Sequence, residues 1–245
     1  MRLAFAVSLL ALSMTGCQDA PSDPPTALED AAVPGATATP ESRTTPDLPL
    51  ADADEDAVTV VFFGDSLTAG YGLESQSLAY PALVGADLEA AGVPVRVVNA
   101  GVSGETSAGG RSRIDWTLAN SPPDVFVLAL GANDGLRGTS VDAMRDNLSA
   151  ILEAVKDAAP DARLVVAGME ALPNYGAEYT AAFRDVFPAV AQEHGAAFVP
   201  FLLEGVAGDA SLNQSDGVHP TAQGQRIMAE TVLEVVEPLV LDDAS

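Results

Sequence analysis

Cysteine is nearly absent from this sequence: Cys17 is the only one in 245 residues, so no disulfide can form within the chain. Lysine is equally scarce, with Lys156 alone, and 11 basic against 35 acidic side chains leave a formal net charge of -24. That shortage of cations excludes nucleic acid as a partner, because affinity for polyanions rests on phosphate neutralisation by Lys and Arg. The acidity itself reads as solubility and self-repulsion rather than as a binding surface. Two histidines, His194 and His219, with a single cysteine give no ligand cluster for a metal, and no cofactor is implied. The apolar run from Leu3 to Leu12 is too short to cross a bilayer. What the chain does have is a hydrophobic fraction of 48%, rich in Ala, Val and Leu, which supplies a substantial core and excludes disorder of the chain as a whole.

Residues 1–17 read as a targeting segment, with Arg2 as its positive start, Leu3 to Leu12 as its apolar centre and Met14-Thr15-Gly16 as a small-residue approach to Cys17. Cys17 directly after that segment resembles a bacterial lipobox, whose cysteine is diacylated after cleavage, although Met14 stands where Leu is usual. Two acyl chains suffice for stable anchoring. The expectation is an exported, periplasmic or extracytoplasmic lipoprotein held to a membrane through lipidated Cys17. Gln18 rather than Asp after the cysteine favours the outer membrane if the host has two. An ordinary signal peptide with an incidental cysteine is the alternative.

Residues 18–56 are rich in Pro, Ala, Thr and acidic side chains without apolar periodicity, the composition of a disordered tether. Within 57–245 no internal repeat occurs, and short apolar runs alternate with helical patterns, which predicts a doubly wound α/β domain with a parallel sheet. The five expected strands are Val58–Phe63, Val95–Val98, Val125–Leu130, Leu164–Ala167 and Ala197–Pro200. Helical stripes run through Val141, Met144, Leu148, Leu152 and Val155, through Phe183, Val186, Phe187 and Val190, and through Met228, Val232, Val235 and Leu239. These stripes are core, not cofactor boxes.

Ligands of open parallel sheets bind beyond the carboxyl ends of the strands. Three such ends carry polar, Gly-rich segments: Gly64-Asp65-Ser66-Leu67-Thr68-Ala69-Gly70, Asn99 to Thr106, and Gly131-Ala132-Asn133-Asp134. A fourth segment, Asp216-Gly217-Val218-His219-Pro220, precedes the last helical stripe. A serine hydroxyl needs a base within hydrogen-bond reach. His194 lies at the end of a predicted helix closed by Gly195, where a structural role fits. His219 has Asp216 three residues before it, a spacing that lets the carboxylate fold back on the imidazole and fix its tautomer. Pro220 stiffens that loop. Ser66 at a strand end is either a helix cap or a nucleophile. Gly104 admits close approach of a backbone N–H to a developing oxyanion or simply makes a turn. Asn133 offers a neutral amide donor or likewise a turn.

Taken together, the four segments resemble the four blocks of the SGNH/GDSL hydrolase family. Ser66 matches the nucleophile of the first block, Gly104 the glycine of the second, Asn133 the asparagine of the third, and Asp216 with His219 the last pair. The stretch Gly64 to Gly72, the stretch Gly131 to Gly138, and Pro173-Asn174-Tyr175-Gly176 are similar to the bacterial arylesterase branch, which includes thioesterases and lysophospholipases. Glu105 stands where that branch often has Asp, Gly101 where a side chain is expected, and Glu204 to Gln214 has no clear counterpart. The resemblance implies a flavodoxin-like three-layer α/β/α sandwich with a five-stranded parallel sheet. It also implies hydrolysis through an acyl-enzyme on Ser66, with an oxyanion hole made by the Ser66 and Gly104 N–H groups and the Asn133 amide. Substrate contacts are expected at Asp65, Leu136, Pro173 and Tyr175. The substrates implied are small acyl esters, thioesters or lysophospholipids, with no obligate protein partner. A carbohydrate acetyl esterase on the same fold and a non-catalytic ligand-binding lipoprotein are the alternatives. An α/β-hydrolase is excluded because no Gly-x-Ser-x-Gly occurs, and a nucleotide-binding enzyme because no phosphate-binding Gly-rich motif follows Phe63.

Overall fold

The computed structural model describes residues 57–243. The targeting segment 1–17 with Cys17, the tether 18–56 and residues 244–245 lie outside the described residues. Five strands and seven helices follow in the order β1 (Val58–Gly64), α1 (Ser66–Ala69), α2 (Tyr80–Ala90), β2 (Val95–Gly101), α3 (Ser107–Asn120), β3 (Val125–Ala129), α4 (Ala132–Arg137), α5 (Val141–Ala158), β4 (Arg163–Ala167), α6 (Ala177–His194), β5 (Ala197–Val199) and α7 (Ala222–Asp243). Short 3-10 turns at Gln76–Leu78 and Pro173–Tyr175 complete the set.

The strands form one parallel sheet in the order β2-β1-β3-β4-β5, the flavodoxin-like order whose switch point falls between β1 and β3. Every residue of β1 and β3 is buried. A parallel strand covered by helices on both faces reads as an unbroken apolar run, which is why VTVVFF and VFVLA lack alternation. Helices α2 and α7 pack together, while α5 packs on both α3 and α6, giving a helical layer on each side of the sheet. Register sets Gly64 beside Gly101 on one flank and beside Ala129 on the other. The three chemically informative strand ends therefore stand level, side by side.

The stripes on α5 and α6 are buried as the sequence pattern predicts, except that Val141 at the start of α5 is only half-buried. Along α7 the line runs through Met228, Val232, Val236 and Val240, whereas Val235 and Leu239 are only half-buried at its edge. Each step of four overshoots a 3.6-residue turn by about 40°, so the buried line drifts around this long helix instead of following a straight stripe. Helices α2 and α3 carry no apolar stripe in their sequence because they bury small or polar residues alongside apolar ones, such as Gly85 in α2 and Ser107, Gly110 and Thr117 in α3.

Candidate active site

Strand β1 delivers Asp65 and Ser66 to the carboxyl edge of the sheet. Asp65 is the N-cap of α1: its Oδ1 accepts the Leu67 N–H at 3.0 Å. With the cap supplied by Asp65, the Ser66 hydroxyl is left for another partner, and Oγ lies 3.0 Å from His219 Nε2. The turn closes at Gly70, and the Tyr71 N–H donates to the Ser66 carbonyl at 3.0 Å.

His219 sits on the loop before α7, and the spacing to Asp216 does what the sequence suggests. Asp216 Oδ2 lies 2.7 Å from His219 Nδ1, while Oδ1 accepts the Val218 N–H at 2.9 Å and the His219 N–H at 3.0 Å. The His219 ring, followed by the two backbone donors, holds the Asp216 carboxyl well below the ordinary carboxylate range. An ionised Asp216 keeps the proton of a neutral imidazole on Nδ1, leaving Nε2 as the acceptor facing Ser66. The Tyr71 ring covers the imidazole, centroid to centroid at 4.6 Å.

Asn133 is the second residue of α4, and its Nδ2 donates to Asp65 Oδ2 at 3.2 Å. Asp65 is 1% exposed, and burial pushes its carboxyl up to about 6 despite the opposing Leu67 and Asn133 hydrogen bonds. Expected at the substrate surface, Asp65 instead lies beneath it, capping α1 and orienting the Asn133 amide. One of the two Nδ2 hydrogens faces Asp65, which leaves the other for a ligand.

The second loop is held from below. Glu105 pairs with Arg113 of α3 through Nε at 2.7 and 2.9 Å and also through Nη2. The same guanidinium donates to the Ala100 carbonyl at 2.9 Å and the Gly64 carbonyl at 3.3 Å, and lies 3.9 Å above the Phe63 ring centroid. Arg113 thus ties the ends of β1 and β2 to the loop carrying Gly104, and the longer Glu105 in place of Asp is absorbed by this pairing. Arg137 donates to the Gly104 carbonyl at 2.9 Å. Gly104 has φ +80°, and an added Cβ would meet nothing within 4 Å. Its glycine is explained by the positive φ and not by a crowded approach. Close approach governs Gly101, where a Cβ would stand 2.3 Å from the Ala69 nitrogen; the missing side chain lets α1 pack onto the end of β2. Asp134, buried beside Asn133, accepts the Ser107 N–H at 2.8 Å and its hydroxyl at 2.7 Å, joining α4 to the start of α3.

Ser66, Gly104, Asn133 and His219 open into one cleft of about 600 Å³, a size typical of small-molecule sites. Of the expected substrate contacts, Leu136 and Pro173 line it. Tyr175 does not; its hydroxyl donates to the Leu136 carbonyl at 2.9 Å, and its ring lies behind the wall, against Gly138. Met169 and Phe201 are lining residues that sequence reasoning missed. Each stands two positions beyond a strand, β4 or β5, so the strand-end rule extended to all five strands finds them. The stretch Glu204 to Gln214, left open by the sequence, contributes Ala207, Gly208 and Asn213 to the wall beside Leu203. Asn213 holds it by donating to the Val206 carbonyl at 2.7 Å and the Asp209 carbonyl at 2.8 Å. His194 ends α6 before the left-handed cap Gly195, and its carbonyl accepts from Lys156. Among the described residues no group of three His, Cys, Asp or Glu could hold a metal, and no helix is long and apolar enough to cross a membrane.

Residues 62–227 match the model of the GDSL-like lipase/acylhydrolase family. Esterase TesA of Pseudomonas aeruginosa is 41% identical over 184 residues, which span 75% of this chain and 90% of that protein. Thioesterase 1/protease 1/lysophospholipase L1 of Escherichia coli is 36% identical over 188 residues, 77% of this chain and 88% of its own length. A crystal structure of TesA superimposes with a TM-score of 0.70 at 39% identity, covering 74% of this chain and 99% of that one.

Proposed function

The chain belongs to the GDSL-like lipase/acylhydrolase family and is a serine ester hydrolase, and from that premise we propose that Ser66 is its nucleophile and His219, oriented by Asp216, its base. The observation that carries this reading is the unbroken chain from Asp216 Oδ2 to His219 Nδ1 at 2.7 Å and from His219 Nε2 to Ser66 Oγ at 3.0 Å. Ser66 Oγ attacks the acyl carbonyl carbon as its proton passes to Nε2. The resulting oxyanion accepts hydrogen bonds from the Ser66 N–H, the Gly104 N–H and the Asn133 Nδ2 hydrogen that does not face Asp65. The tetrahedral species collapses when Nε2 returns the proton to the leaving alcohol or thiol. Water then attacks the acyl-enzyme, giving its proton to Nε2, and the acid departs as the proton returns to Ser66.

The substrates are acyl esters, thioesters or lysophospholipids, in keeping with the names of the two relatives. Leu136, Met169, Leu172, Pro173 and Phe201 give the cleft an apolar lining, which suits an acyl chain better than an acetylated sugar. Hydrolysis of p-nitrophenyl acyl esters compared with acetylated sugars tests that preference, and faster turnover of the sugars would reverse it. Asn133→Ala is expected to lower kcat roughly 100- to 1,000-fold, the usual effect of losing one oxyanion donor. Steady-state kinetics on a p-nitrophenyl ester read this, and a kcat close to that of the parent would remove Asn133 from the oxyanion hole.

For the whole chain, we propose export by the segment 1–17, diacylation of Cys17, a tether over 18–56 and the hydrolase domain over 57–245. The position of Cys17, reached from the apolar run by the small-residue approach Met14-Thr15-Gly16, supports this arrangement. Cys17→Ser is expected to move the protein from the membrane pellet to the soluble fraction of a bacterial host. Unchanged membrane association would refute the anchor.

A further inference from the structure

The loop carrying Asp216 and His219 belongs to no regular element, yet it holds an imidazole 3.0 Å from Ser66, a residue 153 positions away. Two side chains tie the segment after Ser66 to this region: Gln225 of α7 donates to the Leu67 carbonyl at 3.3 Å and accepts the Tyr80 N–H at 2.8 Å, which fixes the helix, and Gln214 reaches across from the loop itself. Gln214 Nε2 donates to the Tyr71 carbonyl at 2.7 Å and to the Pro220 carbonyl at 3.0 Å. The backbone of Gln214 closes the loop on itself: its N–H donates to the His219 carbonyl at 2.7 Å, and its carbonyl accepts the Gly217 N–H at 2.9 Å. The amide lies over Gly72, where a Cβ would stand 2.2 Å from Oε1, so glycine at 72 leaves the space that the amide fills. Tyr71, whose carbonyl receives the bond, also places its ring over His219.

We propose that Gln214 is a positioning residue for ester hydrolysis, a latch that sets the distance from His219 Nε2 to Ser66 Oγ. Both Nε2 hydrogens are used: one crosses from the histidine loop to the Tyr71 carbonyl of the nucleophile segment, and the other ties the amide back to Pro220 of its own loop and so fixes its direction. The pairing of Asp216 with His219 lies within the loop and does not depend on the latch. Its loss therefore misplaces an intact Asp–His pair relative to the serine, and displacement of about 1 Å can cost on the order of 100-fold in rate.

The inference rests on Ser66 and His219 as nucleophile and base, and the test separates the two claims. Gln214→Met keeps the length and removes both donors. It is expected to lower kcat roughly tenfold to a hundredfold with little change in KM, and to slow fluorophosphonate labelling of Ser66 in proportion. The downfield proton resonance of the His219–Asp216 hydrogen bond should persist. Gln214→Asn keeps the donors one methylene short and should fall between parent and Met variant; it is the variant to read if Gln214→Met does not fold. Gln214→Glu sets a carboxylate against two carbonyl oxygens and should be at least as slow as Gln214→Met. The latch is overturned if kcat and labelling of the folded variants match the parent, if the loss appears in KM alone, or if the resonance vanishes with the activity. Ester hydrolysis surviving in Ser66→Ala would overturn the underlying assignment instead.

Discussion

Ser66→Ala is expected to reduce kcat for a p-nitrophenyl acyl ester on the order of 10⁵- to 10⁶-fold, to leave the fold intact, and to abolish labelling by a fluorophosphonate. The size of the effect follows from the mechanism: without Oγ there is no acyl-enzyme, and the cleft retains only the oxyanion donors and substrate binding, whose residual acceleration is small beside the full reaction. Preservation of the fold follows from the local structure. The cap of α1 is Asp65, so removing the Ser66 hydroxyl costs the helix nothing. The Tyr71 N–H bond to Ser66 uses the backbone carbonyl, and the backbone N–H of position 66 is kept for the oxyanion. Thermal unfolding of the variant should therefore overlay that of the parent while turnover disappears. Hydrolysis by Ser66→Ala at a rate comparable to the parent would refute the nucleophile assignment.

The features legible in the sequence are those whose physics is local or repetitive. The strand runs at 58–63 and 125–130 are legible because burial on both faces forces a continuous apolar string, with β3 itself ending at Ala129. The Asp216–His219 pair could be read because a spacing of three folds one side chain back on the other, and because only two histidines compete for the role of base. Ser66 by itself fits a cap or a nucleophile; Asp65 as the N-cap separates the two roles, and an N-cap is assigned to its residue only by backbone geometry. What escaped the sequence depends on non-local approach. The Arg113 guanidinium meets Glu105 and two strand carbonyls only after α3 docks under the loop. Tyr175 points behind the wall because the chain turns at Pro173–Tyr175 and Gly176. The wall at 203–213 is a series of turns held by Asn213 bonds to backbone carbonyls, and such turns leave no periodic trace.

Asp216→Asn is expected to lower kcat on the order of 10⁴-fold, more than removal of any single oxyanion donor and less than removal of the nucleophile. The substitution is nearly isosteric. Its Oδ1 can still accept the Val218 and His219 N–H groups now bound at 2.9 and 3.0 Å, so the loop keeps its course and Tyr71 still covers the ring. What changes is the atom facing His219 Nδ1. A carboxylate oxygen accepts a hydrogen bond from Nδ1–H, which keeps the proton on Nδ1 and leaves Nε2 bare toward Ser66. An amide nitrogen donates instead, which stabilises the other tautomer: Nδ1 becomes the acceptor, Nε2 carries the hydrogen, and that hydrogen points at the oxygen whose proton the imidazole has to remove. Swapping the donor and acceptor of the amide does not rescue the arrangement, because Nδ2 then faces two backbone N–H groups. The loss should therefore fall on kcat and on the rate of fluorophosphonate labelling together, with KM little altered. The downfield imidazole resonance should disappear while thermal unfolding stays close to that of the parent. A variant that retains both the resonance and the activity would show that His219 finds its tautomer without Asp216.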